Sequence, residues 1–217
     1  MILFRKYHTN SFWPPILARS IGGKFQAANM QDFSDAVTLH TISDTANFLW
    51  TYIEIKNEDR FKYLRYLSSE KGHNNMAEVE FRYKGNILSG KIIGTEGSIN
   101  NHINTTKDKV YDGDQLTFFN AIEESGAWSG IKLYETSKID QIVYIFRNDD
   151  NNIHIGDTYE LFYYNKDEWM SVGKKTADTI FLFYSKVPSN TIYQLKNHSR
   201  GKEERLFTYE NGKQIFW

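Results

Sequence analysis

Along most of the chain, apolar and polar residues alternate with a period of two, the signature of half-buried β-strands. In Thr51-Tyr-Ile-Glu-Ile-Lys56, Ile53 and Ile55 fall on one side, with Tyr52, Glu54 and Lys56 on the other. Val37-Thr-Leu-His-Thr-Ile42 alternates in the same way, and Ala77-Glu-Val-Glu-Phe81 sets Ala77, Val79 and Phe81 on one apolar face. The pattern predicts further strands at Phe61–Leu67, Ile139–Phe146, Tyr159–Tyr164, Trp169–Val172, Thr179–Tyr184, Ile192–Leu195 and Leu206–Tyr209. Turn residues separate them: Lys71–Asn75, Lys84-Gly85-Asn86, Asn148–Asn152, Asn165–Glu168 and Asn211-Gly212. Residues 1–20 read as an irregular lead-in, where Trp13-Pro14-Pro15 favours extended or turn backbone. Asp32-Phe-Ser-Asp35 is rich in cap residues and allows a short helical turn. No segment carries the long amphipathic helix that a parallel α/β sheet needs for its crossovers. The expectation is therefore an all-β chain built as a β-sandwich.

A boundary is expected near residue 85, dividing the chain into modules 1–85 and 86–217. A weak internal repeat supports two related modules. Val37–Phe81 runs strand, loop with Trp50, strand, Tyr-rich strand, Gly-containing loop and Ala-Glu-Val-Glu-Phe. Tyr159–Phe207 follows the same order, and Glu78 and Glu204 fall at matching places. The first module reads as truncated at its opening strands.

Composition narrows the function classes. The 217 residues include 26 Lys and Arg against 27 Asp and Glu, so no excess of basic charge is available for a non-specific nucleic-acid binder. The absence of Cys excludes disulfides, thiol nucleophiles and Cys-ligated metal centres. No apolar run approaches a membrane span and no signal peptide is visible, so no membrane insertion is expected. Aromatic residues make up 16% of the chain, enough for a β core and for stacking surfaces besides.

Four segments could carry chemistry. Tyr111-Asp-Gly-Asp-Gln-Leu-Thr117 sets two carboxylates about a glycine with a Thr following, a loop that can wrap a hard cation or form a plain Asx turn. Trp128-Ser-Gly130 reads first as a core Trp entering a strand. Arg147-Asn148, at a strand end beside further amides and carboxylates, suits recognition of sugar hydroxyls by planar donors and acceptors, and equally suits a solvated loop. Asn197-His198-Ser-Arg200, running on to Glu204, is dense in hydrogen-bonding groups. No Gly-x-Ser-x-Gly, His-Glu-x-x-His or phosphate-binding loop is present, so no enzyme activity is expected. A deep cleft holding two carboxylates, or one strongly perturbed carboxylate, would favour a glycan-cleaving enzyme.

Three of these stretches, in order, resemble the opening half of a discoidin domain of the factor V/VIII C type: Lys109–Phe119, Gly126-Ala-Trp-Ser-Gly-Ile-Lys-Leu133 and Ile139–Ile145. The family pattern is Asp-Gly-Asp-x-x-Thr-x-aromatic, then Trp-x-Gly, then an Ile-rich strand. Phe61–Leu67 followed by Met76–Phe81 looks like the closing half of the same domain type. The arrangement is similar to tandem discoidin-like modules of secreted Bacteroidetes proteins. Lys132 and Tyr134 depart from the family's Asp and Gly, and Phe119 stands for its usual Trp.

The resemblance implies a jelly-roll sandwich of the galactose-binding type and, in many members, a structural calcium. Carried over by position, Asp112, Asp114 and Thr117 would form the calcium loop, with Glu204 closing it. Arg147, Asn148, Asn197, His198 and Arg200 would face a glycan. The expected function is non-catalytic carbohydrate binding by an extracellular, cell-surface or periplasmic protein, working with other modules of a larger secreted protein. The alternative is a protein-interaction or structural accessory module without a sugar ligand.

Overall fold

The computed structural model of the protein describes residues 1–4, 13–200 and 204–217. In chain order its elements are β1 (Ile2–Leu3), α1 (Trp13–Ala18), β2 (Lys24–Ala28), β3 (Val37–Thr41), β4 (Thr51–Glu54), β5 (Phe61–Leu67), β6 (Met76–Tyr83), β7 (Asn86–Ile87) and β8 (Gly90–Gly94). After three short 3-10 turns between Ile99 and Tyr111 come β9 (Trp128–Ser137), β10 (Gln141–Phe146), β11 (Thr158–Asn165), β12 (Glu168–Thr176), β13 (Leu182–Phe183), β14 (Tyr193–Asn197), β15 (Leu206–Glu210) and β16 (Lys213–Phe216). All the strand pairings described are antiparallel.

The chain divides into two compact units, residues 11–150 and residues 1–10 with 151–217. The larger unit is a sandwich of a five-stranded sheet, β3-β2-β5-β9-β8, and a four-stranded sheet, β4-β10-β6-β7. Alternation explains the packing. Leu64 and Tyr66 of β5, Val79 and Phe81 of β6, and Ile142, Tyr144 and Phe146 of β10 all enter one core. Phe25 of β2 touches rings from both sheets, 5.1 Å from Tyr66 and 4.9 Å from Tyr144 between centroids. The last 3-10 turn, Lys107–Tyr111, buries Val110 in the same core and so anchors the loop that follows it.

The expected boundary near residue 85 lies inside this unit. Lys84-Gly85 is the turn of the β6–β7 hairpin, with both residues at positive φ. The segment Val37–Phe81 does not close on itself as a separate module: β5 pairs with β9, and β6 with β10. Trp13-Pro14-Pro15 opens a helix, because the first helical turn has no intrahelical partner for its amides and tolerates proline. The rest of the expected lead-in falls partly outside the described residues, at 5–12. At Asp32–Asp35 there is an Asx turn in place of a helix, since Asp32 Oδ1 accepts from the Ser34 amide at 3.0 Å.

The smaller unit carries a five-stranded antiparallel sheet, β12-β11-β14-β15-β16, and the short pair β1-β13. Tyr159, Leu161, Tyr193, Leu195 and Phe207 are the buried residues of its core. Among the described residues no helix is long and apolar enough to cross a membrane.

Candidate functional site

The Asp112 loop follows directly from the anchored 3-10 turn. Gly113, at φ +80°, supplies the left-handed residue that folds the chain back. Thr117 Oγ1 sits 3.0 and 3.1 Å from the two Asp112 carboxylate oxygens, 3.0 Å from the Asp114 carbonyl and 3.4 Å from the Lys109 carbonyl. The Asp114 carboxylate itself accepts from the Leu116 amide at 3.0 Å, so its backbone carbonyl, rather than its side chain, faces Thr117. Burial works against ionisation of Asp112, but hydrogen bonds from the Asp114 amide, Lys109 and Thr117 outweigh it and hold the carboxyl below its ordinary value.

The carboxylate brought to this loop by the fold is Glu78, on β6. It is 4% exposed, and its Oε1 has no hydrogen-bond partner. Burial first, and then the neighbouring Asp112 carboxyl, push Glu78 up to about 8, while the Gly113 amide pulls the other way. A cavity of about 300 Å³ opens beside it, lined among others by Phe81, Ile92, Tyr111 and Ile131, which accounts for the poor solvation. Glu204 lies in the smaller unit, where its Oε1 accepts from the Asn197 amide at 2.9 Å. The sequence repeat had marked Glu78 as the counterpart of Glu204; strand pairing decides which of the two reaches the loop.

The Thr117 hydroxyl and the carbonyls of Lys109 and Asp114 gather at the Asp112 carboxylate, which adjoins the buried Glu78 and already holds the Lys109 ammonium at 3.1 Å; oxygens of these kinds are the ones a hard cation such as calcium takes, and a cation here would have to displace that ammonium. Glu78, Asp112, Thr117 and the carbonyls of Lys109 and Asp114 fit such a cation. No cluster of three or more His, Asp or Glu suited to a metal occurs among the described residues. A cation here would draw most of its ligands from neutral oxygens.

The predicted glycan-facing residues fall in both units. Arg147 lies at the end of β10 with its guanidinium carbon 4.2 Å from the centre of the Phe118 ring. Its amide donates to the Asn75 carbonyl at 2.9 Å. Asn148 is buried and its amide is spent internally: Nδ2 donates to the carbonyls of Gln115 (2.9 Å) and Phe146 (3.0 Å), and Oδ1 accepts from the Asp150 amide. Asn148 is thus a strut between β10 and the Asp112 loop, and Gln115 Nε2 reinforces the join by donating to Asp150 Oδ1 at 2.5 Å.

Asn197, His198 and Arg200 belong to the smaller unit. Asn197 is buried, donating to Asp157 Oδ2 at 2.8 Å and accepting the Ser199 and Arg200 amides. Arg200 Nε lies 2.6 Å from the same Asp157 oxygen. These contacts brace the turn about Asp157. His198 Nε2 lies 2.9 Å from Glu160, whose other oxygen accepts from Ser171 at 2.7 Å. The carboxylate stands between serine and imidazole, so the imidazole has no described bond to that hydroxyl. Residues 201–203 of this segment lie outside the described residues.

Sequence reasoning missed the residues around Arg147. Asn75, Arg19 and the Phe118–Asn120 stretch come from three separate segments, and no local motif joins them. Comparison of the chain with family models, with curated proteins and with solved structures finds no match.

Proposed function

We propose that the protein is a non-catalytic carbohydrate-binding module of discoidin-like type, steadied by a calcium ion and working outside the cytoplasm beside other modules. The observation that carries the reading is the loop cluster at the end of β10. Arg147 stacked on Phe118 offers a planar hydrogen-bonding group and an aromatic face of the kind that grips sugar hydroxyls and ring faces. The fold adds support. The strands read as the closing and opening halves of a discoidin domain, β5–β6 and β9–β10, lie side by side in one sandwich. Their order along the chain is then reversed relative to that family.

Calcium, held by Glu78, Asp112, Thr117 and the two carbonyls, would neutralise the Glu78 and Asp112 carboxylates and stiffen the loop on which Asn148 and Asp150 lean. Arg147 and its neighbours make the sugar contacts. The test is a glycan array of the full chain with calcium and with chelator. Binding to one glycan class that is lost in Arg147→Ala supports the reading. A blank array in both conditions overturns it.

A further inference from the structure

The five-stranded sheet of the larger unit turns Leu64, Tyr66, Ile131 and Leu133 into the sandwich core. Alternation sends Tyr63, Arg65, Trp128 and Lys132 to its opposite face. There Tyr63 and Trp128 join Phe33 in a second, smaller apolar cluster, and Arg65 lies across it. The guanidinium carbon is 4.0 Å from the centre of the Phe33 ring and 5.5 Å from that of Trp128. Gly130 stands opposite Arg65 on β9, so no side chain blocks the arginine stem on its way to Trp128.

Arg65 is held from several sides. Gln26 Oε1 accepts from Arg65 Nε at 2.9 Å, and Gln26 Nε2 donates in turn to Thr38 Oγ1 at 3.2 Å. Phe33 has left-handed backbone at φ 58°, which costs free energy for a bulky residue. Its loop keeps it there. The Asp35 carboxylate accepts from the Asn29 and Met30 amides, each at 3.0 Å, and the Ala36 amide donates to the Phe33 carbonyl. With Nε spent on Gln26, the two terminal nitrogens of Arg65 make no hydrogen bond or ion pair among the described residues.

Charge is segregated on the same sheet. Its strands carry Lys24, Lys62, Arg65, Lys91 and Lys132 but a single acidic residue, Glu135, near the end of β9. The chain as a whole has no such excess. Lys91 and Lys132 are directly opposed across β8 and β9, where like charges repel. Lys132 Nζ is 5.7 Å from the centre of the Tyr63 ring, and neither lysine makes an ion pair among the described residues. An anionic partner relieves that repulsion and gains charge-assisted hydrogen bonds at the Arg65 fork.

We propose that this face, from Arg65 over Lys132 to Lys91, binds an acidic polysaccharide, the Arg65 fork and the lysine pair taking carboxylate or sulfate groups on neighbouring sugars. Arg147 follows β10 of the other sheet, so the surface is a second site and goes beyond the reading of the Arg147–Phe118 cluster. Phe33 and Tyr63 are buried and Trp128 packs against Arg65, which leaves few ring faces for bases to stack on and favours a glycan over a nucleic acid.

Isothermal titration of the full chain tests it with four ligands: an oligogalacturonate, a sulfated galactan oligosaccharide, a neutral galactan oligosaccharide of the same length, and a single-stranded DNA oligonucleotide. At least one acidic saccharide should bind about tenfold or more tightly than the neutral one, with an affinity that falls as ionic strength rises. Lys91→Gln combined with Lys132→Gln should remove most of that preference and leave the urea midpoint unchanged or higher, because a like-charge pair is lost. Arg65→Lys, which keeps the charge but not the fork, should remove part of it. Lys196→Gln in the smaller unit should leave it intact. Equal affinity for acidic and neutral saccharides, or acidic binding unchanged in both the lysine double variant and Arg65→Lys, would overturn this surface and leave the Arg147–Phe118 cluster standing. A neutral saccharide left unbound, while the acidic ones bind and respond to the double variant, would uphold the surface and count against that cluster. Failure of every saccharide would overturn both. DNA bound as tightly as the better acidic saccharide would overturn the assignment to glycans.

Discussion

Replacing Glu78 with Gln separates the cost of a buried carboxyl from its use. In the cation-free protein Glu78 titrates at about 8, against an ordinary 4.5 in the unfolded chain. Between those values the unfolded chain has released a proton that the folded protein keeps, so unfolding is favoured by rising pH. Below the ordinary value both states are protonated and nothing is lost. The loss grows to about 3 kcal/mol at neutral pH and about 5 kcal/mol once it is fully expressed above the folded value. Asp112 has the opposite sign. Its carboxyl is held low, so its contribution is present above its ordinary value and is lost only in acid, outside this window. Gln cannot ionise and keeps nearly the same shape. One of its added amide hydrogens can meet the Asp112 carboxylate, but the other has no partner in the apolar cavity, which returns about 1–2 kcal/mol of the gain. With chelator, Glu78→Gln should therefore be more stable than the wild type by about 1–2 kcal/mol at neutral pH, with the advantage gone between about pH 5 and about pH 6 and reversed below that.

On the proposed calcium reading, the ion should reverse the order. Binding requires the ionised carboxylate, so it releases a proton and strengthens with pH up to about 8. The wild type should gain about 2.7 kcal/mol when calcium stands at about a hundred times its Kd. Glu78→Gln, lacking the charge, should gain far less. Urea unfolding from about pH 5 to about pH 8, with calcium and with chelator, reads both effects. Wild-type stability in chelator that stays flat across that range would refute the buried-carboxyl argument. An equal calcium increment in the two proteins would refute the role of Glu78 as a ligand.

Other predictions rest on packing and hydrogen bonding. Phe81 is 1% exposed in the core of the larger unit, so Phe81→Ala should cost about 3–5 kcal/mol by urea unfolding; a cost below about 1 kcal/mol would mean that the site collapses without strain. A Cβ at Gly130 would run into the Leu64 carbonyl of the paired strand, so Gly130→Ala should destabilise by about 1–3 kcal/mol, although alanine is otherwise harmless in a strand. Arg200→Ala should lower the melting temperature by loosening the Asp157 brace and leave glycan binding unchanged; lost binding with unchanged stability would return Arg200 to the recognition surface.

The sequence pattern made the strands legible wherever β-branched and aromatic residues alternate, as in β5, β6 and β10. It missed β2, Lys24-Phe-Gln-Ala-Ala28, because two alanines and a glutamine carry little strand preference. That segment is a strand because β3 and β5 pair on either side of it. The misplaced boundary has a related cause. A Lys-Gly-Asn turn looks the same whether it closes a hairpin or links two domains, and only the pairing of β6 with β10 distinguishes them. The Asp112 loop was readable because most of its oxygens are contiguous in sequence. Glu78 was not readable as their partner, since its approach depends on that same pairing.

The Arg147-Asn148 dipeptide shows the limit most sharply. Both residues stand where a recognition loop would be expected, yet their side chains do opposite work. Arg147 reaches the Phe118 ring, whereas both donors of Asn148 are spent on carbonyls of Gln115 and Phe146. A buried amide must satisfy its own hydrogen bonds before it can serve a ligand, so position in a loop transfers no role unless those bonds are free. The consequence is measurable. Asn148→Ala should weaken glycan binding only by slackening the tie to the Asp112 loop, so its effect should shrink when calcium stiffens that loop, whereas the loss in Arg147→Ala should be the same with calcium or with chelator. Equal losses for Asn148→Ala in the two conditions would make Asn148 a ligand contact after all.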